Sequence, residues 1–584
     1  MICKFVINYF MKNHSEISSF IWNVCDDVLR GLFKQHEYGD VILPFVVLRR
    51  LDCVIEPHKD EVVKIYNDLI KDGVDDPSLI IKKQTKLDFY NRSQFDLQRL
   101  KGDPNNIKSH FPVYLNGYSQ NVFEIIENFQ LEKPVEKLIK NNKLFLLVDK
   151  FTEIDLHPDV IDNHTMGQIF EELLRKFSEM SNETSGEHYT PRDVVKLLVS
   201  LVFSGEEKNL QDNSGGINVR TIFDPCCGTG GMLTIGKEWI QENVSKDVKI
   251  NLFGQELNPQ TFSICKSDFL ITGENPDNIK GGVSSLSQDQ FESSKFHYMI
   301  TNPPFGVSWK SEKDDIKNES KNPFGRFSVG LPRTSDGSLL FLQHMISKLK
   351  PEGSRIGVVF NGSPLFSGDS GSGESEIRKW IIEEDLLECV ISLPNNLFFN
   401  TGIMTYIWII NNNKSTQRRG KIQLINGESF FHVLKKKLGE KRKEINQLDR
   451  EKILDIYSRF KENEFCKIYD NQFFGYTKIT IEQPLFNDSG EIIKDKKGNP
   501  KPNTKMRDHE RVPLSDSIND YFEREVKPHL PNSWVDSKKN KIGYEINFKK
   551  YFYQYHPLRT SDNIQKDILN IEEELKGIQS KIFN

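Results

Sequence analysis

The feature that most limits the fold of this chain is a short apolar run that stops at two prolines. The run from Tyr298 to Ile300 is typical of a buried strand, and the Asn302, Pro303 and Pro304 that follow can continue neither a strand nor a helix. The asparagine amide is therefore predicted to lie at the carboxyl end of a strand. In open α/β sheets that edge is where ligands bind, so the sequence predicts a ligand site here.

The residues after this strand suit the binding of an amino group attached to an aromatic ring. The Asn302 side chain offers a carbonyl acceptor, and Pro303 keeps its backbone carbonyl although it has no N–H. Phe305 adds a flat apolar face on which a base could stack. The alternative is that Asn-Pro-Pro-Phe forms a rigid loop with no catalytic or binding role, because Asn-Pro is a common turn signal. The candidate catalytic residues are Asn302, Pro303, Pro304 and Phe305.

A second motif is a glycine-rich turn that joins a strand to a helix. The β-branched and aromatic run from Thr221 to Phe223 predicts the strand, and a helix is expected to follow the turn. Several glycines around one threonine permit positive φ and a close approach of the backbone to a ligand. The turn matches neither the dinucleotide fingerprint nor a phosphate loop. Its candidate cofactor-binding residues are Asp224, Cys227, Gly228, Thr229, Gly230 and Gly231.

Two further positions belong to the same predicted site. Glu256 follows the next predicted strand, and a carboxylate at that strand tip can hold both hydroxyls of a ribose. Thr190 and Pro191 form a strong helix start, with the threonine as N-cap and the proline at the first helical position. Such a start can bind an anionic group, although a cap without a ligand explains it equally well. We predict no metal site.

Together these motifs resemble the amino-methyltransferase pattern of DNA adenine-N6 methylases. The flanking sequence is similar to the methylation (M) subunit of type I restriction-modification systems, and the match covers nearly the whole chain. The segments that carry the resemblance are Phe33 to Asp40 with the Arg-Arg-Leu-Asp that follows, Gly186 to Arg192, Asp224 to Gly231, Gly254 to Pro259, Asn302 to Phe305, Arg507 to Leu514 and Gly543 to Ile546.

The resemblance implies a fold, a reaction and partners. The fold is α/β, a Rossmann-like S-adenosylmethionine-dependent methyltransferase domain with an N-terminal helical domain and a C-terminal extension ending in a helix. The reaction is site-specific methylation of the N6 atom of a flipped adenine in DNA, with S-adenosyl-L-methionine as cofactor. The implied partners are DNA, a specificity (S) subunit and a restriction (R) subunit, with two M subunits per S subunit and no membrane.

The resemblance also implies cofactor contacts outside the glycine turn. Ser284 occupies the position after the third strand where such enzymes usually place Asp or Asn against the adenine of the cofactor, and serine can still form a hydrogen bond there. The segment before the predicted helix start is expected to lie beside the cofactor. Its residues are Glu187, His188, Tyr189, Thr190, Pro191 and Arg192.

Four regions are predicted along the chain: an N-terminal helical domain over 1–155, the catalytic domain over 156–415, a mixed and partly basic region over 416–560, and a coiled-coil-like helix over 561–584. Two segments of the catalytic domain, Ser311 to Asn322 and Ser367 to Ser375, are predicted to be mobile. The terminal helix repeats apolar residues at spacings of 4 and 3, a narrow seam. We expect it to dock on a partner helix, the S subunit by resemblance, rather than fold back. The seam residues are Ile564, Ile568, Ile571, Leu575, Ile578 and Ile582.

The net charge and the cysteine pattern limit which binding partners and which cellular compartment the sequence allows. The net charge is −5, so the chain has no global basic field and another component is expected to help hold DNA. The eight scattered cysteines form no C-x-x-C pair, which predicts reduced thiols and a cytoplasmic protein. A solvated helix face is the first interpretation of the local basic cluster, and contact with a phosphate backbone is the alternative. This cluster comprises Arg418, Arg419, Lys435, Lys436, Lys437, Lys441, Arg442 and Lys443.

Three other functions compete with this hypothesis. A stand-alone adenine methylase would need its own target-recognition domain, and none is evident in the sequence. Protein glutamine methyltransferases carry a similar Asn-Pro-Pro motif, usually with Tyr as the fourth residue, where this chain has Phe305. A non-catalytic scaffold would explain Ser284, but the intact Asn302 and Glu256 argue against it.

Overall fold

The computed structural model describes residues 16–181, 190–207, 210, 219–245, 247–399, 401–553 and 560–583. The chain forms two units, Met1–Ile546 and Asn547–Asn584. Within the described residues, no helix has the length and apolarity needed to cross a membrane.

The N-terminal part of the first unit is built from helices around one apolar core. The central helix α2 is apolar along almost its whole length and is buried accordingly. Arg50 on α2 is buried too, and it donates hydrogen bonds to the backbone oxygens of Leu156 and Ile161 at 2.7 and 3.0 Å. This arginine therefore has a structural role. The helices are α1 (described over 16–24), α2 (Tyr38–Ile55), α3 (Lys59–Lys71), α4 (Ser78–Thr85), α5 (Leu97–Lys101), α6 (Ile107–Leu115), α7 (Gln120–Asn128), α8 (Glu132–Lys140), α9 (Leu144–Phe151) and α10 (Asn163–Ser181).

The rest of the chain alternates strands and helices. The strands are β1 (Val219–Asp224), β2 (Lys249–Glu256), β3 (Ile279–Gly281), β4 (Tyr298–Thr301), β5 (Arg355–Asn361), β6 (Leu387–Ser392), β7 (Thr405–Asn411), β8 (Lys421–Asn426), β9 (His432–Leu438), β10 (Lys441–Glu444), β11 (Cys466–Asp470), β12 (Gly475–Glu482), β13 (Asp508–Pro513), β14 (Trp534–Val535) and β15 (Lys541–Tyr544). The helices are α11 (Arg192–Phe203), α12 (Gly231–Asn243), α13 (Pro259–Thr272), α14 (Lys313–Ser320), α15 (Ser338–Ser347), α16 (Ser363–Phe366), α17 (Gly373–Glu383), α18 (Gln447–Arg459), α19 (Ile518–Tyr521), α20 (Phe548–Tyr551) and α21 (Ser561–Phe583).

Nine strands form one mixed sheet in the order β11-β8-β6-β7-β5-β4-β1-β2-β3. The chain runs outward from β1 to β3 and then returns to place β4 on the other side of β1. Strands β4, β1 and β2 are parallel, so their carboxyl ends share one edge. The reversal of strand order between β1 and β4 is the position where such sheets bind ligands. The predicted strands before Asp224, Glu256 and Asn302 are all present.

The sheet extends beyond the predicted catalytic domain. Strand β8 pairs with β6, and β11 pairs with β8, although both lie after residue 415. A smaller sheet, with β12 between β13 and β14 and with β15 also paired to β12, follows. The four predicted regions stay a prediction.

Three local predictions about mobile or basic segments are corrected. The charged segment predicted to be mobile contains helix α14, because Ile316 is buried and Arg326 forms an ion pair with Glu319 at 2.6 Å. The second mobile segment carries Asp369, whose carboxylate forms an ion pair with Lys478. The lysines at 435–437 lie on strand β9 and not on a helix, since β9 and β10 form a two-stranded ribbon.

Candidate active site

The two strand ends that carry the predicted motifs are tied together by a buried hydrogen-bond network. Strands β1 and β4 are direct neighbours, with Phe223 opposite Met299. The Thr301 hydroxyl donates to Asp224 Oδ1 at 2.6 Å, and the Cys226 N–H donates to the same oxygen at 3.0 Å. Thr301 is the residue before Asn302. The network therefore fixes the catalytic loop relative to the glycine turn.

Burial changes the ionisation of this network. It raises the pKa of the Asp224 carboxyl from 3.8 to about 7, and the hydrogen bond from Thr301 opposes that rise. Burial also raises the pKa of the Cys226 thiol well above its usual range. The thiol is therefore protonated at neutral pH and is not a nucleophile.

The raised Asp224 pKa predicts a pH-dependent stability that Asp224→Asn removes. The unfolded carboxyl ionises near pH 3.8, whereas the folded one keeps its proton to about pH 7. Wild-type stability, relative to the variant, should therefore fall as the pH rises through that window and level off above it. Denaturant unfolding of both proteins across the window measures this difference. Two parallel stability curves would contradict the prediction.

The glycine turn adopts the backbone conformation that the sequence predicts. Gly228 and Gly230 have φ of +55° and +83°, and Gly230 is the N-cap of α12. A Cβ atom at Gly230 would lie 2.8 Å from the Cys265 sulfur, so the position excludes a side chain for two independent reasons. The turn brings backbone N–H groups and a helix start to the sheet edge, which suits a ligand with polar and charged groups.

Glu256 lies where the sequence predicts it, at the end of β2, and it is buried. Its two carboxylate oxygens accept the N–H groups of Gly228 at 2.8 Å and Asn258 at 2.7 Å. Each oxygen keeps a further lone pair, so the carboxylate can still accept from the two hydroxyls of a ribose.

Glu256→Gln should weaken S-adenosylmethionine binding by on the order of 10- to 100-fold, because hydrogen bonds to a charged group contribute about 1.5–3 kcal/mol. The amide would also place a donor against the Gly228 or Asn258 N–H. Isothermal titration calorimetry with the cofactor measures the change. Asp247→Asn, at an exposed acid before β2, is the matched control and should bind normally. Wild-type affinity in Glu256→Gln would remove the ribose assignment.

Asn302 is the central residue of the site. Its Nδ2 donates to the Thr190 hydroxyl at 2.9 Å. Its Oδ1 is buried and has no hydrogen-bond partner among the described residues. A buried acceptor without a partner costs free energy, so this oxygen is available to accept a hydrogen bond from a ligand. Pro303 is buried beside it, Pro304 is half-buried, and Phe305 is half-buried with its ring 6.1 Å from that of Phe398.

The helix start before α11 differs from its prediction by one residue. The helix begins at Arg192, with Pro191 as its N-cap, and the Thr190 hydroxyl accepts from Asn302 instead of capping the helix. Arg192 forms a two-point ion pair with Glu171 on α10, at 2.9 and 3.2 Å. Both residues border the site. The predicted cofactor residues Glu187, His188 and Tyr189 lie outside the described residues.

One pocket joins eight of the predicted site residues, and its lining includes neither Glu256 nor Ser284. Ser284 lies in the turn after β3, at the same edge of the sheet, and its hydroxyl accepts the Leu286 N–H at 3.2 Å. The residues that line the pocket are Glu171, Thr190, Arg192, Val195, Asp224, Cys226, Cys227, Gly228, Thr229, Gly231, Met232, Ile235 and Asn302.

The sequence did not single out three residues that shape this site. Thr301 links the two motifs, and Glu171 holds Arg192. Gln255 is fully buried and its amide nitrogen donates to the backbone oxygens of Val283 and Gln288, which fixes the loop that contains Ser284. Gln255 is adjacent to Glu256, which the sequence did single out. The hydrogen-bond partners of Gln255 lie 28 and 33 residues further along the chain, so its role is visible only in the folded structure.

Comparison with known proteins agrees with this geometry. The N-6 DNA Methylase family model matches residues 161–473, and the HsdM N-terminal domain model matches residues 17–151. The chain is 25% identical over 475 residues to the type I restriction enzyme MjaIX methylase subunit of Methanocaldococcus jannaschii, covering 77% of this chain and 78% of that protein. It is 28% identical over 323 residues to the HindI methylase subunit of Haemophilus influenzae, covering 55% and 66%.

A solved structure shows the same fold. It is the type I restriction-modification system methyltransferase subunit from Streptococcus thermophilus, with a TM-score of 0.61 and 21% identity, covering 79% of this chain and 97% of that one.

The fold and the family match define an S-adenosylmethionine-dependent methyltransferase. The glycine turn, Glu256 and the Asn302 oxygen, which has no partner among the described residues, are compatible with this cofactor and with an amino group as methyl acceptor. The family match covers more than half of the sequence, and the chain belongs to the N-6 DNA methylase family. The predicted fold class, adenine-specific DNA methyltransferase activity, cofactor and kinship with type I methylation subunits are thereby confirmed.

Proposed function

We propose that this chain works as the methylation subunit of a type I complex and methylates a flipped adenine at the β1–β4 strand ends. The observation that carries the proposal is the buried Oδ1 of Asn302 beside the glycine turn, which has no hydrogen-bond partner in the described part of the chain. The adenine amino group is inside a base pair in duplex DNA, so the base must leave the stack to reach this oxygen.

Asn302 and its neighbours orient the amino group. Asn302 Oδ1 and the Pro303 carbonyl accept its two N–H bonds, and Phe305 stacks on the base. S-adenosylmethionine supplies an electrophilic methyl group when bound. Asn302 Oδ1 and the Pro303 carbonyl would aim the nitrogen lone pair at that methyl carbon; transfer would leave the cofactor as S-adenosylhomocysteine, and the proton lost from the nitrogen would pass to water. The Thr190 hydroxyl holds the Asn302 amide in the orientation that this geometry needs.

The remaining residues hold the cofactor in this proposal. Gly228 to Gly231 bind its amino-acid part, Glu256 binds its ribose, and Ser284 lies towards its adenine. Arg192 and Pro191 lie beside it, and the cofactor contacts expected of Glu187, His188 and Tyr189 fall outside the described residues. The positive φ of the glycines and the Glu256 hydrogen bonds support these assignments.

The terminal helix is the proposed contact with the specificity subunit. Helix α21 exposes the seam residues Ile564, Ile568, Ile571, Leu575 and Ile578. A regular apolar seam on an exposed helix suits a partner helix. Two copies of this chain per specificity subunit, and a restriction subunit, complete the proposed complex. The described cysteines are free, which supports a cytoplasmic location.

Methyl incorporation into DNA tests the proposal. Labelled S-adenosylmethionine is supplied to this chain alone and to the chain purified with its specificity subunit. We expect labelled N6-methyladenine only in the second sample. Incorporation without a partner would support a stand-alone methylase. Cofactor binding without DNA methylation in either sample would reject the proposal in favour of a protein substrate or a scaffold.

A further inference from the structure

The two-stranded ribbon β9–β10 carries a concentration of positive charge in an acidic chain. Its basic residues are Lys435, Lys436, Lys437, Lys441, Arg442 and Lys443, and its acidic residues are Glu440 and Glu444. The whole protein has a net charge of −5, so this local excess is a distinct surface feature. We call it the basic ribbon.

Two of these basic side chains make contacts within the protein that account for their presence in the ribbon. Lys441 is buried and its Nζ donates to both Asp193 oxygens and to the Leu397 carbonyl, each at 3.0 Å. The Lys443 ammonium lies 3.9 Å from the centre of the Phe431 ring. Arg418, in the same predicted cluster, is buried and donates to Gln423 at 2.8 Å. These side chains anchor the structure and are not available to a ligand.

The other four cations have no such role. Lys435, Lys436, Lys437 and Arg442 are exposed, and their side chains make no hydrogen bond or ion pair within the described part of the chain. The pairing of β9 with β10 explains why these side chains are exposed. Lys441 pairs with Leu438 and Lys443 with Val433, so four residues of β9 lie opposite the single residue Arg442. Such bulges re-aim side chains and are frequent next to active sites.

The anchors place the basic ribbon at the sheet edge that carries Phe305, the residue proposed to stack on the adenine. Asn396 O accepts the Arg442 N–H at 2.9 Å, and Phe399 O accepts the Glu440 N–H at 2.7 Å. Both acceptors belong to the loop after β6, and Phe398 of that loop contacts the Phe305 ring. Strand β6 runs parallel to β5 and β4, since β7 is antiparallel to both β5 and β6, so this loop lies at the catalytic edge.

We propose that the basic ribbon binds the phosphate backbone of duplex DNA next to the flipped adenine, through Lys435, Lys436, Lys437 and Arg442. The inference rests on the DNA substrate of the proposed function. Lysines without an ion-pair partner in the described chain, held on an anchored ribbon, can each neutralise a phosphate of the DNA backbone. Such contacts do not require hydrogen bonds to the bases. The ribbon thereby holds the backbone while the base enters the pocket, and sequence selection stays with the partner subunit.

The test compares two triple variants of the full chain. Lys435→Gln, Lys436→Gln and Lys437→Gln alter the ribbon, and Lys496→Gln, Lys497→Gln and Lys501→Gln make the same charge change on the exposed 484–502 hairpin beside the smaller sheet. Fluorescence anisotropy with a short duplex of arbitrary sequence is recorded at several salt concentrations. The ribbon variant should lose affinity, and its slope of log K against log salt should shrink by about 1 per phosphate-contacting lysine. The hairpin variant should bind as the wild type does.

Three outcomes would overturn the ribbon proposal. They are wild-type affinity and slope in the ribbon variant, no DNA binding by the wild type at low salt, and ribbon-dependent binding of polyglutamate in preference to DNA, which would indicate an acidic protein partner. The methylation assay on the complex separates the two proposals. In that assay the ribbon variant should show a raised KM for DNA with kcat retained. Ribbon-dependent DNA binding in a complex that methylates no DNA would leave the ribbon proposal standing and reject the proposed function.

Discussion

Asn302→Ala should lower the rate of DNA methylation by on the order of 10²- to 10³-fold, the range found when one preorganised polar contact is removed from an active site. The change deletes the buried Oδ1, for which the described residues supply no partner, and the Nδ2 that contacts Thr190. The amino group would then lose both its acceptor and its orientation. S-adenosylmethionine affinity should change little, because Glu256 and the glycine turn are intact. Single-turnover methylation by the partnered complex, together with cofactor titration, measures the two effects.

Asn361→Ala provides the matched control for this prediction. Asn361 ends the neighbouring strand β5, and its side-chain oxygen accepts the local Ser363 N–H at 3.0 Å. Its side-chain oxygen already has a partner in its own turn, unlike that of Asn302, and its loss should alter the rate by less than about 10-fold. Equal losses in both variants would show that Asn302 acts through the stability of the sheet edge and not through the amino group.

The sequence predicted the parts of the site whose chemistry is local. Consecutive prolines interrupt a buried strand, and clustered glycines permit positive φ, so the ends of β1 and β4 could be placed without knowledge of the fold. Thr301 could not be recognised in the same way. Its hydroxyl bonds to Asp224, which is 77 residues away, and only the adjacency of β1 and β4 brings the two together. The contacts of Gln255 with Val283 and Gln288 depend on the fold for the same reason.

Runs of charged residues gave the least reliable predictions. A run such as Lys435 to Lys437 has no apolar periodicity, so its sequence cannot distinguish a helix face from a ribbon. Lys441 of the ribbon is anchored on Asp193, far earlier in the chain, and this contact cannot be read from the sequence. The charged segment around Ile316 was predicted to be mobile for a similar reason. Its helix is fixed by one buried side chain and by Arg326, which donates to the Ser285 and Leu286 carbonyls at 2.8 Å.

Ile571→Asp with Leu575→Asp should abolish partner-dependent methylation by preventing assembly. Both side chains are exposed on helix α21 and lie in the apolar seam. Burying each on a partner helix contributes about 1.5–3 kcal/mol, so losing two should weaken assembly by at least about 10²-fold, before the cost of burying the new charges. Co-purification with the specificity subunit and methylation of its target DNA measure the loss.

The control places two aspartates on the same helix away from the seam, by Lys566→Asp with Asn570→Asp. If the seam is the contact, the control assembles and methylates, while the seam variant does neither and still binds S-adenosylmethionine with wild-type affinity. That last measurement is decisive, because it shows that the catalytic unit is folded and that the defect lies in docking. Equal assembly by both variants would move the partner contact away from α21 and would leave the adenine chemistry at Asn302 untouched.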